Sequence, residues 1–141
     1  MDWLSSLQHL NWLAILLAFV SSMVIGFVWY MPAVFGRRWM QAIGKTEEDL
    51  KKIDGGAGIW IPLMVAAALT SIVLAVLIGK LGVQGSLHAG FFALVIAVVF
   101  RVGGHVIHNG FAGRPSAVTL IDSGHDIVAM TAAGAIIGAL Q

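Results

Sequence analysis

The chain has 141 residues, 59% of them hydrophobic and only 11% charged, with a mean hydropathy of +0.92. Ordinary globular domains run about 45–50% apolar and about 25% charged, so this composition argues against a soluble single-domain enzyme and against disorder. A net charge of +1 leaves no basic face for nucleic acid, and zero cysteines remove disulfides, thiolate metal sites and Cys nucleophiles. What remains is a small integral membrane protein.

No Asp, Glu, Lys or Arg occurs from Trp3 to Gly36, and a helix needs roughly 20 apolar residues to cross the hydrocarbon. The first span is expected at about 11–35, with Asn11 as its cap and Trp12, Trp29 and Tyr30 as interfacial anchors. A cleaved signal peptide would need a basic leader and an apolar core of about 7–15 residues. Here Asp2 precedes a much longer run, so the segment is expected to stay in the mature protein. Pro32 lacks an N–H and disfavours helix at Met31, which predicts a kink or an end there. Trp29, Tyr30, Phe35 and Trp39 then ring the headgroup level. They read as an aromatic belt or, alternatively, as a hydrophobic cleft for a pigment, quinone or lipid tail.

The polar loop at 36–58 carries Arg37, Arg38, Lys45, Lys51 and Lys52. Positive-inside counting puts it in the cytoplasm, with both termini outside. Thr46-Glu47-Glu48-Asp49 reads as a capping box, and Glu47/Lys51 and Glu48/Lys52 as i,i+4 pairs, predicting a short surface helix. It is either a solvated connector or a docking surface for a soluble partner. Gly55-Gly56-Ala57-Gly58 follows as a flexible link.

Further spans are expected at about 59–81, 85–108 and 117–140. The connections between them are short, so consecutive helices should be antiparallel neighbours. Lys80 would snorkel to the outer interface, and His9 and His88 are read as interfacial. The fold class is therefore all-α: one domain over 1–141, four transmembrane helices in an antiparallel bundle, N-out and C-out. Gly134-x-x-x-Gly138 lies in an Ala-rich stretch of the last span. Such a stripe serves either packing within the chain or dimerisation.

Several motifs resemble a known family. They are Asn11-Trp12-Leu13-Ala14, then Gly26, then Trp29-Tyr30-x-Pro32-x-x-Phe35-Gly36-x-x-Trp39-Met40, and Glu48-Asp49. Together they resemble the small bacterial membrane proteins of domain of unknown function 1761. Phe111-x-x-Arg114-Pro115 and the Gly-rich last span are similar to that family's C-terminal half. The resemblance implies a four-helix protein of the bacterial cytoplasmic membrane, with no established activity or catalytic residues.

Ionisable residues inside spans are functional candidates. Arg101, His105 and His108 share one face of the third span, and Asp122, His125 and Asp126 one face of the fourth. At about 1.5 Å per residue, Arg101 lies roughly 12 Å deep and His105 about 6 Å; Asp122 lies roughly 7–8 Å deep and Asp126 about 13 Å. The depths pair Arg101 with Asp126 and His105 with Asp122. A central Asp or Arg costs about 2.5–3.5 kcal/mol on insertion, so these groups must face protein or water.

Three readings stay open for the cluster: a structural ion-pair network, a proton or ion pathway, and a metal site on His105, Asp122, His125 and Asp126. No cofactor is assigned; a divalent metal fits the donor types, though Arg101 would oppose it, and haem ligation by a histidine is a further alternative. The leading functional expectation is a small oligomeric protein for proton or small-ion transport. The runner-up is an accessory subunit of a larger membrane complex, and a membrane-embedded metal enzyme comes third. Expected partners are membrane lipid and either further copies or a larger assembly.

Overall fold

The computed structural model describes residues 9–53 and 56–141, and every regular element among them is helical. Asp2, Trp3 and Gly55, on which parts of the sequence reading rest, lie outside the described residues.

Asn11 opens α1 (Trp12–Trp29). Its side-chain oxygen accepts from the Ala14 N–H at 3.1 Å, and its amide donates to the Leu140 carbonyl at 2.7 Å. The expected single span over 11–35 is shorter, because the chain breaks after Trp29. Met31 is extended (φ −61°, ψ 143°), as the residue before a proline prefers. Pro32–Gly36 then forms a π-helical turn that runs into α2 (Arg37–Ala42). The turn closes when Gly36 N–H donates to the Met31 carbonyl at 3.0 Å, and a Cβ on Gly36 would overlap the Tyr30 carbonyl.

The loop helix is α3 (Glu47–Lys52), and the capping box is complete. Thr46 Oγ1 accepts from Asp49 N–H at 3.1 Å, while Asp49 Oδ2 accepts from Thr46 N–H at 2.9 Å. Hydrogen bonds from the Thr46 side chain and backbone hold the Asp49 carboxyl below its usual range, so this cap persists until the pH falls past that lowered value. Neither Glu47–Lys51 nor Glu48–Lys52 is among the ion pairs of the described residues. The capping bonds, not those pairs, define the helix.

Beyond the loop come α4 (Ala57–Lys80), then a rod made of α5 (Ser86–Ile96), a π segment at Ala97–Val102 and α6 (Gly103–Phe111), and finally α7 (Ser116–Leu140). With α1 these give four helices long and apolar enough to cross a membrane, close to the expected bounds. The central element is α7, which packs against α1 and the 86–111 rod. The expected close packing of the second and third spans is not found: α4 leans mainly on α1, and its residues 57–66 are exposed.

The apolar core lies toward the Lys80 end, where Ile15, Ala18, Leu74, Ile78, Ala89 and Ile137 meet. There the rod and α7 approach almost backbone to backbone. A Cβ on Gly134 would sit 2.6 Å from the Ala89 carbonyl, and one on Gly138 2.8 Å from the Gly85 carbonyl. The small-residue stripe is thus used within the chain. At the other end of the same contact, Asn109 donates to Thr119 Oγ1 at 3.1 Å. Early residues of the rod therefore meet late residues of α7, and late ones meet early ones.

Candidate functional site

The site forms where α1 and the rod both press on the first half of α7. Two glycines permit the approach. A Cβ on Gly26 of α1 would stand 3.2 Å from His125 Nε2, and one on Gly124 of α7 2.9 Å from the Trp29 ring. Each helix thus leaves a gap for the other's aromatic side chain. Trp29 Nε1 donates to the Ile121 carbonyl at 3.0 Å, which fixes the end of α1 on α7.

Asp126 is the centre, only 7% exposed. Its Oδ2 accepts from Arg101 Nε at 3.0 Å and lies 3.0 Å from His105 Nε2, while its Oδ1 lies 3.0 Å from His125 Nδ1. Hydrogen bonds to charged groups contribute about 1.5–3 kcal/mol each, so three partners offset the roughly 2.5–3.5 kcal/mol that an Asp costs in an apolar helix of this kind. The carboxylate is stable here because Arg101 donates to it and both of its oxygens have a partner.

The predicted pairing of Arg101 with Asp126 is therefore present, whereas that of His105 with Asp122 is not. Side chains on a helix lean toward its N-terminus. On two helices running past each other, His105 leans toward the middle of the rod and Asp126 leans back to meet it. Asp122 turns instead to α1, where Tyr30 Oη donates to its Oδ1 at 2.7 Å. Tyr30 was read from the sequence as an interfacial anchor or as part of a hydrophobic cleft, not as a partner of Asp122. The signal that could have placed it was Pro32, which ends α1 just beyond this residue and leaves it beside α7. His108 is exposed and takes no part in the cluster.

The groups form a continuous series. His105 (side chain 32% exposed) meets Asp126, which meets His125, whose ring centroid is 5.5 Å from that of Tyr30. Tyr30 ends the series on Asp122. His125 Nε2 is buried without a hydrogen-bond partner. Among the described residues, no group of three His, Cys, Asp or Glu side chains is arranged to hold a metal ion.

The aromatic block packs as well as anchors. Trp29 and Phe35 stack with centroids 4.5 Å apart, and Tyr30 meets Trp39 edge-on at 5.5 Å. A cleft of about 560 Å³ opens beside them, lined by Tyr30, Pro32, Trp39, Leu50, Lys51 and Trp60.

A family model described as "Protein of unknown function (DUF1761)" matches residues 13–138. No curated protein and no solved structure matches the chain.

Proposed function

Because the chain belongs to DUF1761, a family of unknown function, we propose from geometry alone that it carries protons within the membrane along His105, Asp126 and His125. The observation that supports this reading is the buried carboxylate bonded through its two oxygens to two imidazoles. Histidine and Asp at hydrogen-bond distance can pass a proton between them, the chemistry of relay chains within membranes. His105 is the entry group, since it is partly exposed; it gives its Nε2 proton to Asp126 Oδ2, the neutral carboxyl rotates, and the proton then passes to the unprotonated Nδ1 of His125. Arg101 balances the carboxylate charge between transfers.

Purified protein in liposomes enclosing a pH-sensitive dye tests the reading under an imposed potential. Wild type should acidify or alkalinise the lumen faster than protein-free vesicles, and Asp126→Asn should return the rate to that background. A wild-type rate equal to background, or an Asp126→Asn rate equal to wild type, overturns it.

In this proposal the chain is one four-helix domain of the bacterial cytoplasmic membrane, antiparallel, with the five-cation loop inside and both termini outside. A reporter after Gln141 should read as extracytoplasmic and one near Lys51 as cytoplasmic. The half of α7 beyond Asp126 has no ionisable residue, so a route across the whole bilayer needs further copies of the chain, which reconstitution supplies. That observation also favours a second reading, an accessory subunit for which the cluster is structural. A fixed partner co-purifying from native membrane, with no flux from the isolated protein, would select it.

A further inference from the structure

A second opening lies between α4 and the rod. Leu69, Val73 and Leu77 of α4, Ile96 of α5 and Met130 of α7 line a groove of about 290 Å³. Thr70 also borders it, but its hydroxyl already donates to the Ala66 carbonyl at 2.8 Å. The groove is open because α4 leans away from the rod, leaving residues 57–66 exposed. Met130 stands one turn from Asp126 on the same face of α7, so the groove ends about one turn from Arg101.

Arg101 is the unexplained group at that end. Its side chain is 52% exposed, yet it lies ten residues before Phe111, the end of the rod, or about 15 Å along the helix axis. Among the described residues its only side-chain hydrogen bond is from Nε to Asp126. Both terminal nitrogens are therefore without a hydrogen-bond partner among the described residues, at hydrocarbon depth, where unsatisfied donors are expensive. A guanidinium edge of this kind matches a carboxylate through two parallel hydrogen bonds.

We propose that the groove binds a long-chain carboxylate, its head on the terminal nitrogens of Arg101 and its hydrocarbon chain along Ile96, Met130 and the Leu69–Leu77 face. One narrow groove admits one chain, and one cation at this depth suits a small, singly charged head. A second copy of this protein is a poorer occupant. Asp126 has both oxygens engaged, Asp122 accepts from Tyr30, and Glu47, Glu48 and Asp49 lie in the polar loop. No free carboxylate remains at the level of Arg101 among the described residues of the spans.

The test uses protein in phosphatidylcholine vesicles, with spin-labelled stearate and its methyl ester as probes, at a pH where stearate is ionised. Electron spin resonance reads the fraction of each probe immobilised by the protein. Stearate should associate about tenfold more strongly than the ester, the ratio expected of one charge-assisted hydrogen-bonded pair. Arg101→Gln should bring that ratio close to one. Val73→Trp, which fills the groove and leaves the Arg101–Asp126 pair in place, should do the same, and it decides the matter if the arginine variant does not fold. Equal binding of acid and ester overturns the proposal, as does a preference that survives both substitutions. So does a dimer cross-linked through residue 101 that shows no stearate preference. No proton gradient is present, so this result is independent of proton conduction.

Discussion

Arg101→Ala is expected to destabilise the folded protein more than removal of both members of its pair. The single change leaves the Asp126 carboxylate, 7% exposed, without its permanent cation. Breaking one partner of a buried pair costs about 3–5 kcal/mol, whereas replacing both by apolar groups is often close to neutral. His105 and His125 stay at 3.0 Å from Asp126 as hydrogen-bond partners, so the lower end, about 3 kcal/mol, is the expected loss. In Arg101→Leu with Asp126→Leu neither the carboxylate nor the guanidinium is stranded. Thermal unfolding in detergent should rank wild type first, the double variant second and Arg101→Ala last. A single variant as stable as wild type would mean that Arg101 is held by something other than Asp126, and the pair would lose its structural role.

Much of this architecture was legible because membrane spans are written in composition. Uncharged runs gave four helices at nearly the observed positions, and Thr46 to Asp49 announced the cap that begins α3. The Arg101–Asp126 pair was also legible, since depth along two helices joined by a short turn is simple arithmetic. Arithmetic on regular helices could not give the rest. Pro32 ends α1, one of the two outcomes expected of it, but that the freed end brings Tyr30 to Asp122 was not legible. A π segment at Ala97–Val102 changes the winding of the rod where Arg101 sits, and nothing in its run of apolar residues announces it. Side-chain lean, not backbone depth, delivers His105 to Asp126. The exposure of residues 57–66 was equally hidden, because lipid-facing and protein-facing stretches of an apolar helix read alike.

Gly134→Val is expected to disturb the bundle as much as the charge change, by a different route. A Cβ at 134 would overlap the Ala93 side chain and stand 2.6 Å from the Ala89 carbonyl, which belongs to the backbone and cannot rotate aside. The rod must therefore move bodily from α7, and overpacking of this kind costs about 1–3 kcal/mol. Valine adds two methyl groups beyond the Cβ, so about 3 kcal/mol is the expected loss. Helix association in lipid rests on such close packing, with little hydrophobic drive to replace it. The same displacement would carry to the site, because Arg101 and His105 ride on this rod and reach Asp126 only while it stays close. Gly134→Val should lower thermal stability in detergent and, on the proposed function, reduce proton flux with it. Gly134→Ala with Ala93→Gly should recover part of the stability lost by Gly134→Ala alone, since it removes the side-chain overlap and leaves the carbonyl contact. Gly103→Ala is the matched control, for its Cβ would meet nothing within 4 Å. If Gly134→Val were as stable as Gly103→Ala, the rod and α7 could not be packed through this glycine.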